Sequence, residues 1–200
     1  MIKRREFITL LGGAAAAWPV VARGQQGERV RRIGVLMNVA PNDPEGQALF
    51  TVLRGELQSS GWIEGNNLRI DQRWASGRVE QYREAAGELI ALKPDVIVAA
   101  GAAALAVQRI SRAVPVVFSQ AIDPLGSGFV ANIARPGGNT TGFMQFEFSL
   151  VGKWFQILRE VSPNLARVGL LREPATPAGI GQWAALQVAA EPTGIEVSPL

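Results

Sequence analysis

Strand-length apolar runs alternate along this chain with stretches of helical periodicity, and that alternation limits the fold more than any other feature. Ile33-Gly34-Val35-Leu36-Met37 is a short apolar run. A loop rich in turn residues, 38–44, separates it from a helix expected over 45–60, where Ala48, Leu49, Val52, Leu53 and Leu57 recur at steps of three and four. Gly61 ends that helix. The pattern repeats with a strand at 68–74, a helix at 79–92 closed by Pro94, a strand at 96–100, a helix at 102–112 and a strand at 114–118. Strands that alternate with helices imply right-handed crossovers and a parallel sheet covered on both faces. The continuously apolar 96–100 and 114–118 runs suit its central strands.

The pattern breaks after residue 120. Pro124, Gly126, Gly128, Pro136, Gly137, Gly138 and Gly142 crowd one segment, in which a short helix over 128–134 is expected. A helix at 151–161 follows, with Trp154, Phe155, Leu158 and Val161 on one face. A strand from Arg167 to Leu171, a helix at 180–190 and a strand at 195–197 then read as the start of a second α/β lobe. The expected organisation is an export segment (1–24), a first lobe (25–147), and a linker helix with an incomplete second lobe (148–200).

The N-terminus carries its own signal. Lys3, Arg4 and Arg5 precede an apolar run, 7–21, that falls short of the roughly 20 residues a bilayer requires. Ala22-Arg23-Gly24 supplies small residues at a cleavage site. The Arg-Arg-Glu-Phe-Ile order is that of a twin-arginine signal, so the expected route is the twin-arginine export machinery and the expected location periplasmic. No cysteine follows the run, which excludes a lipid anchor there. Cleavage near Gly24 removes Lys3, Arg4, Arg5 and Arg23 together with Glu6, and the formal charge of +3 falls to zero. No basic excess is left to suggest a nucleic-acid partner.

Histidine and cysteine are both absent. That removes histidine bases, Ser-His-Asp triads, thiolate nucleophiles and the common soft metal ligands. No cofactor or metal is expected.

Several segments together resemble the bacterial ABC-transporter substrate-binding proteins with the type I periplasmic binding fold. They are RRIGVLM, the DPEGQ loop, GWIEGNNLRI, ALKPDVIVAAG, VPVVF, DPLGSGFVANIARPGGNTTGF and GKWFQIL. The resemblance implies a clamshell of two α/β lobes closing on a small solute, an amino acid or related carboxylate, and docking on an ABC permease in the inner membrane. The chain departs from the pattern in two places. It stops at Leu200, early in the second lobe, and reads as truncated. It also carries Gly101-Ala102-Ala103-Ala104 where relatives commonly have a hydroxyl residue.

In a parallel α/β sheet, ligands collect at the carboxyl ends of the strands. Gly101, Ala102 and Ala103 either present backbone N–H groups of the next helix to a solute carboxylate or form an ordinary strand-to-helix turn. Asp123 either accepts from a ligand amino group or bonds its own backbone in a turn. Asn38 and Gln120 sit at other strand ends, as ligand contacts or loop residues. Trp74 ends a strand, to stack on an aromatic solute or to fill the core. Gly126-Ser127-Gly128-Phe129-Val130-Ala131 matches a dinucleotide fingerprint in letters only, because it does not directly follow the first strand. Glu80, Glu84 and Glu88 share a helical face and read as solvated.

The function expected is therefore a solute receptor without chemistry, hinged near 142–147. One alternative is an exported enzyme using the loop carboxylates Asp43, Asp123 and Glu147. The other is the ligand-sensing domain of a regulator.

Overall fold

The computed structural model describes residues 29–200, so the export segment expected over 1–24 lies outside the described residues. Five strands form the main sheet: β1 (Arg31–Met37), β2 (Leu68–Trp74), β3 (Val96–Ala100), β4 (Val116–Ile122) and β5 (Thr140–Phe146). They run in the order β2-β1-β3-β4-β5, and every pairing is parallel. Helices α1 (Pro44–Ser59), α2 (Val79–Ala91) and α3 (Ala103–Ile110) make the crossovers. A 3₁₀ turn (Phe148–Leu150) leads into α4 (Val151–Val161), β6 (Arg167–Leu170), α5 (Pro177–Ala190) and β7 (Glu196–Pro199), with β6 and β7 paired in parallel as a second sheet.

The period-two alternation of each strand sends side chains to opposite faces. Leu36, Ile97, Ala99, Val116 and Phe118 point to the face packed by Tyr82, Ala86 and Leu89 of α2 and Ala103, Ala104 and Val107 of α3. Val35 and Met37 point the other way and meet Phe50 of α1. Trp74 joins that second cluster, edge-on to Phe50 at 6.4 Å between ring centroids, which is the core role. Farther along this face, Val98, Val117 and the exposed Phe143 border an open apolar groove of about 400 Å³. The second lobe has its own core of Val151, Phe155, Leu186, Ala190 and Ile195.

Helix boundaries follow local chemistry. Asp43 caps α1, its Oδ1 accepting from the Gly46 N–H at 2.7 Å, and Pro44 occupies the first turn, where its missing N–H costs nothing. Thr176 caps α5 in the same way through the Gly179 N–H, at 3.1 Å.

Two expectations need correction. Residues 128–134 form no helix. Side chains there bond the backbone in competition with helical bonds: Ser127 Oγ donates to the Ile122 carbonyl, and Asn132 Oδ1 accepts from the N–H groups of Ala134 and Arg135. Phe129 and Val130 are buried in the main core, and the Gln108 side chain donates to the Phe129 carbonyl at 2.8 Å and to Thr140 Oγ1 at 2.7 Å. The second correction is that residues 142–146 belong to β5, which sequence periodicity did not reveal. The link between the lobes narrows to Glu147 and the 3₁₀ turn.

An ionic clamp holds the amino ends of the strands. Arg32 Nε donates to Asp71 Oδ2 at 2.5 Å, tying β1 to β2, and its backbone N–H donates to Asp95 Oδ2 at 2.9 Å, ahead of β3. The Arg32 hydrogen bond holds the Asp71 carboxyl below the usual carboxylate range against the opposing effect of burial. The Arg32 backbone N–H does the same for Asp95, again against burial, with Arg31 and Arg29 assisting. A carboxylate depressed in the folded state stabilises fully above its unfolded value of about 3.9 and loses that contribution as pH falls through the folded value. Urea unfolding should therefore show stability falling below about pH 4, with a shallower slope in Asp71→Asn/Asp95→Asn. Equal slopes in the two proteins would contradict the clamp.

Candidate functional site

All five main-sheet strands end on one side, and there the backbone bends sharply. Gly101, between β3 and α3, has φ +51°, in the left-handed region that glycine enters without penalty. A Cβ at this position would lie 3.3 Å from Asn38 Nδ2, so the glycine lets the β1 and β3 tips approach each other. Ser76, Gln120 and Asp123 take left-handed φ values of 48°, 54° and 39° without being glycine. Backbone strain of this kind collects at ligand sites.

Gln120 has a specific cause. The pairing of β4 with β5 is irregular between Phe118 and Ala121. Val116 and Phe118 face the main core; the next core residue is Ala121, three positions on instead of two. The extra residue rotates Gln120 out of the regular alternation and into the cleft mouth.

The cleft between the lobes has a volume of about 420 Å³. From the first lobe, Asn38, Gly101, Ala102 and Gln120 line it with Tyr82, Leu105, Ile122 and Phe129. Gln145 lines it from β5. From the second lobe come Glu173, in the loop after β6, and Thr176, Pro177 and Ala178 at the start of α5. The N-terminal ends of α3 and α5 thus border one cavity from opposite sides. No side chain caps α3 at Ala102, whereas Thr176 caps α5. Helix starts carry partial positive charge and unsatisfied N–H groups, and they favour anions.

Tyr82 and Glu173 give the cleft its polarity. Tyr82 is buried on α2, and its hydroxyl donates to the Asn38 carbonyl over a long 3.5 Å. Burial, then the Glu173 carboxylate across the gap, raises the phenol above its ordinary value, so it keeps its proton. Glu173 is fixed locally: its Oε1 accepts from the Ala175 N–H at 3.0 Å, and its carbonyl accepts from Thr176 Oγ1 at 3.2 Å.

The family model described as ABC transporter substrate binding protein matches residues 43–200. The chain belongs to this family. A tyrosine-binding protein of Clostridioides difficile is 23% identical over 116 residues, 58% of this chain and 33% of that protein. A conserved domain protein of Vibrio cholerae superposes with a TM-score of 0.76 at 25% identity, covering 86% of this chain and 57% of that one. An ABC domain from Streptococcus pneumonia, solved in complex with L-Trp, gives a TM-score of 0.73 at 22% identity over 85% of this chain and 56% of that one. The substrate-binding chain described here thus spans a third of the curated relative and just over half of these solved structures.

Of the six residues singled out in the sequence, the structure brings four to the cleft of this substrate-binding protein: Asn38, Gly101, Ala102 and Gln120. Ala103 is wholly buried in the main core. Asp123 Oδ1 accepts from the Gly126 N–H at 2.7 Å and Oδ2 from the Phe148 N–H at 3.1 Å, so its carboxylate serves the backbone. Asp43 caps α1, and Glu147 accepts from Ser149 Oγ at 3.2 Å; the three loop carboxylates are not among the cleft-lining residues. Sequence reading missed Tyr82, Glu173 and the start of α5. The strand-tip rule, applied also to β6, leads to Glu173.

The left-handed backbone at Gln120 is a cost the fold bears, about 1–2 kcal/mol for a residue with a Cβ. Gln120→Gly should leave the melting temperature unchanged or raise it. A lower melting temperature would show that the Gln120 side chain is needed for folding.

Proposed function

We propose that this protein is the extracytoplasmic solute receptor of an ABC import system, exported by the twin-arginine route, and that its cleft takes a small aromatic amino acid. The observation that carries the reading is the convergence of two helix N-termini and one carboxylate on a single inter-lobe cavity. A solute carboxylate accepts from the backbone N–H groups at the start of α3, beside Gly101 and Ala102. Glu173 accepts from the solute ammonium group. Tyr82, Leu105 and Phe129 supply apolar surface for a ring, and Asn38, Gln120 and Gln145 supply polar contacts at its edge. Relatives support this class of solute: one is named for tyrosine and another was solved with L-Trp.

The mechanism is binding with lobe closure and no covalent step. A solute touching both lobes binds the closed form better than the open form, and this difference shifts the population toward closure. The closed surface is then what a membrane permease recognises. An exported hydrolase would need an acid and a base facing one cavity; the loop carboxylates are instead engaged in a helix cap and turns, which favours the receptor.

Thermal-shift titration with L-tyrosine, L-tryptophan and L-phenylalanine tests the reading, because stabilisation grows as RT ln(1 + [L]/Kd). At least one should raise the melting temperature. Glu173→Gln should weaken its binding on the order of 10-fold or more, since a hydrogen bond to a charged group contributes about 1.5–3 kcal/mol. The same substitution should barely affect the matching carboxylic acid without an amino group. If none of the three amino acids stabilises the protein, or if Glu173→Gln weakens both ligand types equally, the assignment fails.

A further inference from the structure

The link between the lobes contains one aromatic ring in an unusual seat. Phe148 opens the 3₁₀ turn that follows β5. Its backbone N–H is held by Asp123 of the first lobe at 3.1 Å. A Cβ at Gly126, in the first-lobe turn after β4, would lie 3.0 Å from Phe148 Cε2. A Cβ at Gly181, on α5 of the second lobe, would lie 2.5 Å from Phe148 Cζ. The Cε2 edge of the ring therefore lies against the backbone of both glycines, and the two elements it touches belong to different lobes. Neither glycine has a positive φ, so backbone conformation does not require glycine at either position. Space for the ring does at Gly181, and space for the ring together with the Asp123 carboxylate does at Gly126.

We infer that the Phe148 ring, seated between Gly126 and Gly181, is the bearing that sets the angle between the two lobes. The Asp123 carboxylate fixes the base of the bearing through the Phe148 and Gly126 N–H groups. Two flat, Cβ-free surfaces let α5 turn over the ring without a side chain to ride over. The start of α5 borders the cleft, so rotation about Phe148 moves Thr176, Pro177 and Ala178 toward or away from Gly101 and Gln120. The consequence for solute affinity rests on the proposed function, because apparent affinity scales with the fraction of closing-competent molecules. The angle itself exists without a solute.

The test is a ligand-free distance measurement. The chain has no cysteine, so Glu84→Cys on α2 and Gln187→Cys on α5, both exposed, can carry nitroxides for double electron–electron resonance. Gly181→Ala should move the main inter-lobe distance outside the width of the parent peak, although alanine improves helix propensity on α5. Gly126→Ala should also shift it. Gly152→Ala on α4, where a Cβ meets nothing within 4 Å, should leave it in place. Phe148→Ala should broaden the distribution and abolish the effect of Gly181→Ala, because no ring remains to collide with the new Cβ. Circular dichroism on each variant checks that it is folded. A folded Gly181→Ala with the parent distance, or a Gly181→Ala shift that persists without the Phe148 ring, would overturn the inference. A moved distance combined with failure of every amino acid to bind would keep the bearing and reject only the solute assignment.

Discussion

Every strand of the main sheet points the same way, and the rest of the architecture depends on that constraint. Parallel pairing forces a crossover after each strand, helical from β1 to β4 and a long irregular loop from β4 to β5, so all the strand tips gather along one rim and all the amino ends along the other. The amino-end rim is stapled by Arg32, which reaches Asp71 through its side chain and Asp95 through its backbone N–H. The tip rim is where Gly101, Gln120 and Asp123 take positive φ values and polar backbone is left facing the cleft. Division of labour between the rims follows from topology: one holds the sheet together, the other is free to hold a solute.

Asp123 connects that rim to the second lobe. Sequence left it open between a ligand contact and a turn former, and it acts as a joint. One oxygen closes the turn at Gly126, the other receives the Phe148 N–H, and its backbone N–H donates to the Phe146 carbonyl at 2.8 Å. The exit of β4 and the exit of β5 are thereby fixed to each other just where the chain leaves the first lobe. Its two carboxylate oxygens are already occupied by backbone donors. Glu173 is better placed for a solute cation, because it lines the cleft and, among the described residues, its Oε1 accepts only from the Ala175 N–H of its own loop.

Much of this was legible in the residues. Periodicity gave β1 to β4 and α1 to α3 to within a few residues, since each has a clean apolar repeat and a turn or cap at its ends. The strand-tip rule then picked out Asn38, Gly101, Ala102 and Gln120. Residues 123–146 were harder for a physical reason. Their structure is set by single side-chain-to-backbone bonds from Asp123, Ser127, Asn132 and Gln108, which leave no periodic trace. β5 was hidden because Gly142 interrupts its pattern and Phe143, in the apolar groove, is exposed. Asp123 and Asn38 carry similar local signals, and only the three-dimensional positions of Gly126 and Phe148 distinguish a turn former from a cleft residue. Glu173 and the α5 start belong to the second lobe, whose short β6 gives little to read.

The central claim is that one solute is held at the same time by strand and helix ends from both lobes. Hydrogen–deuterium exchange with and without saturating L-tyrosine tests it most directly. The account predicts that protection appears together at residues 101–105 and at residues 173–179, on opposite walls of the cleft. Protection confined to one lobe, or none at either segment, would contradict it.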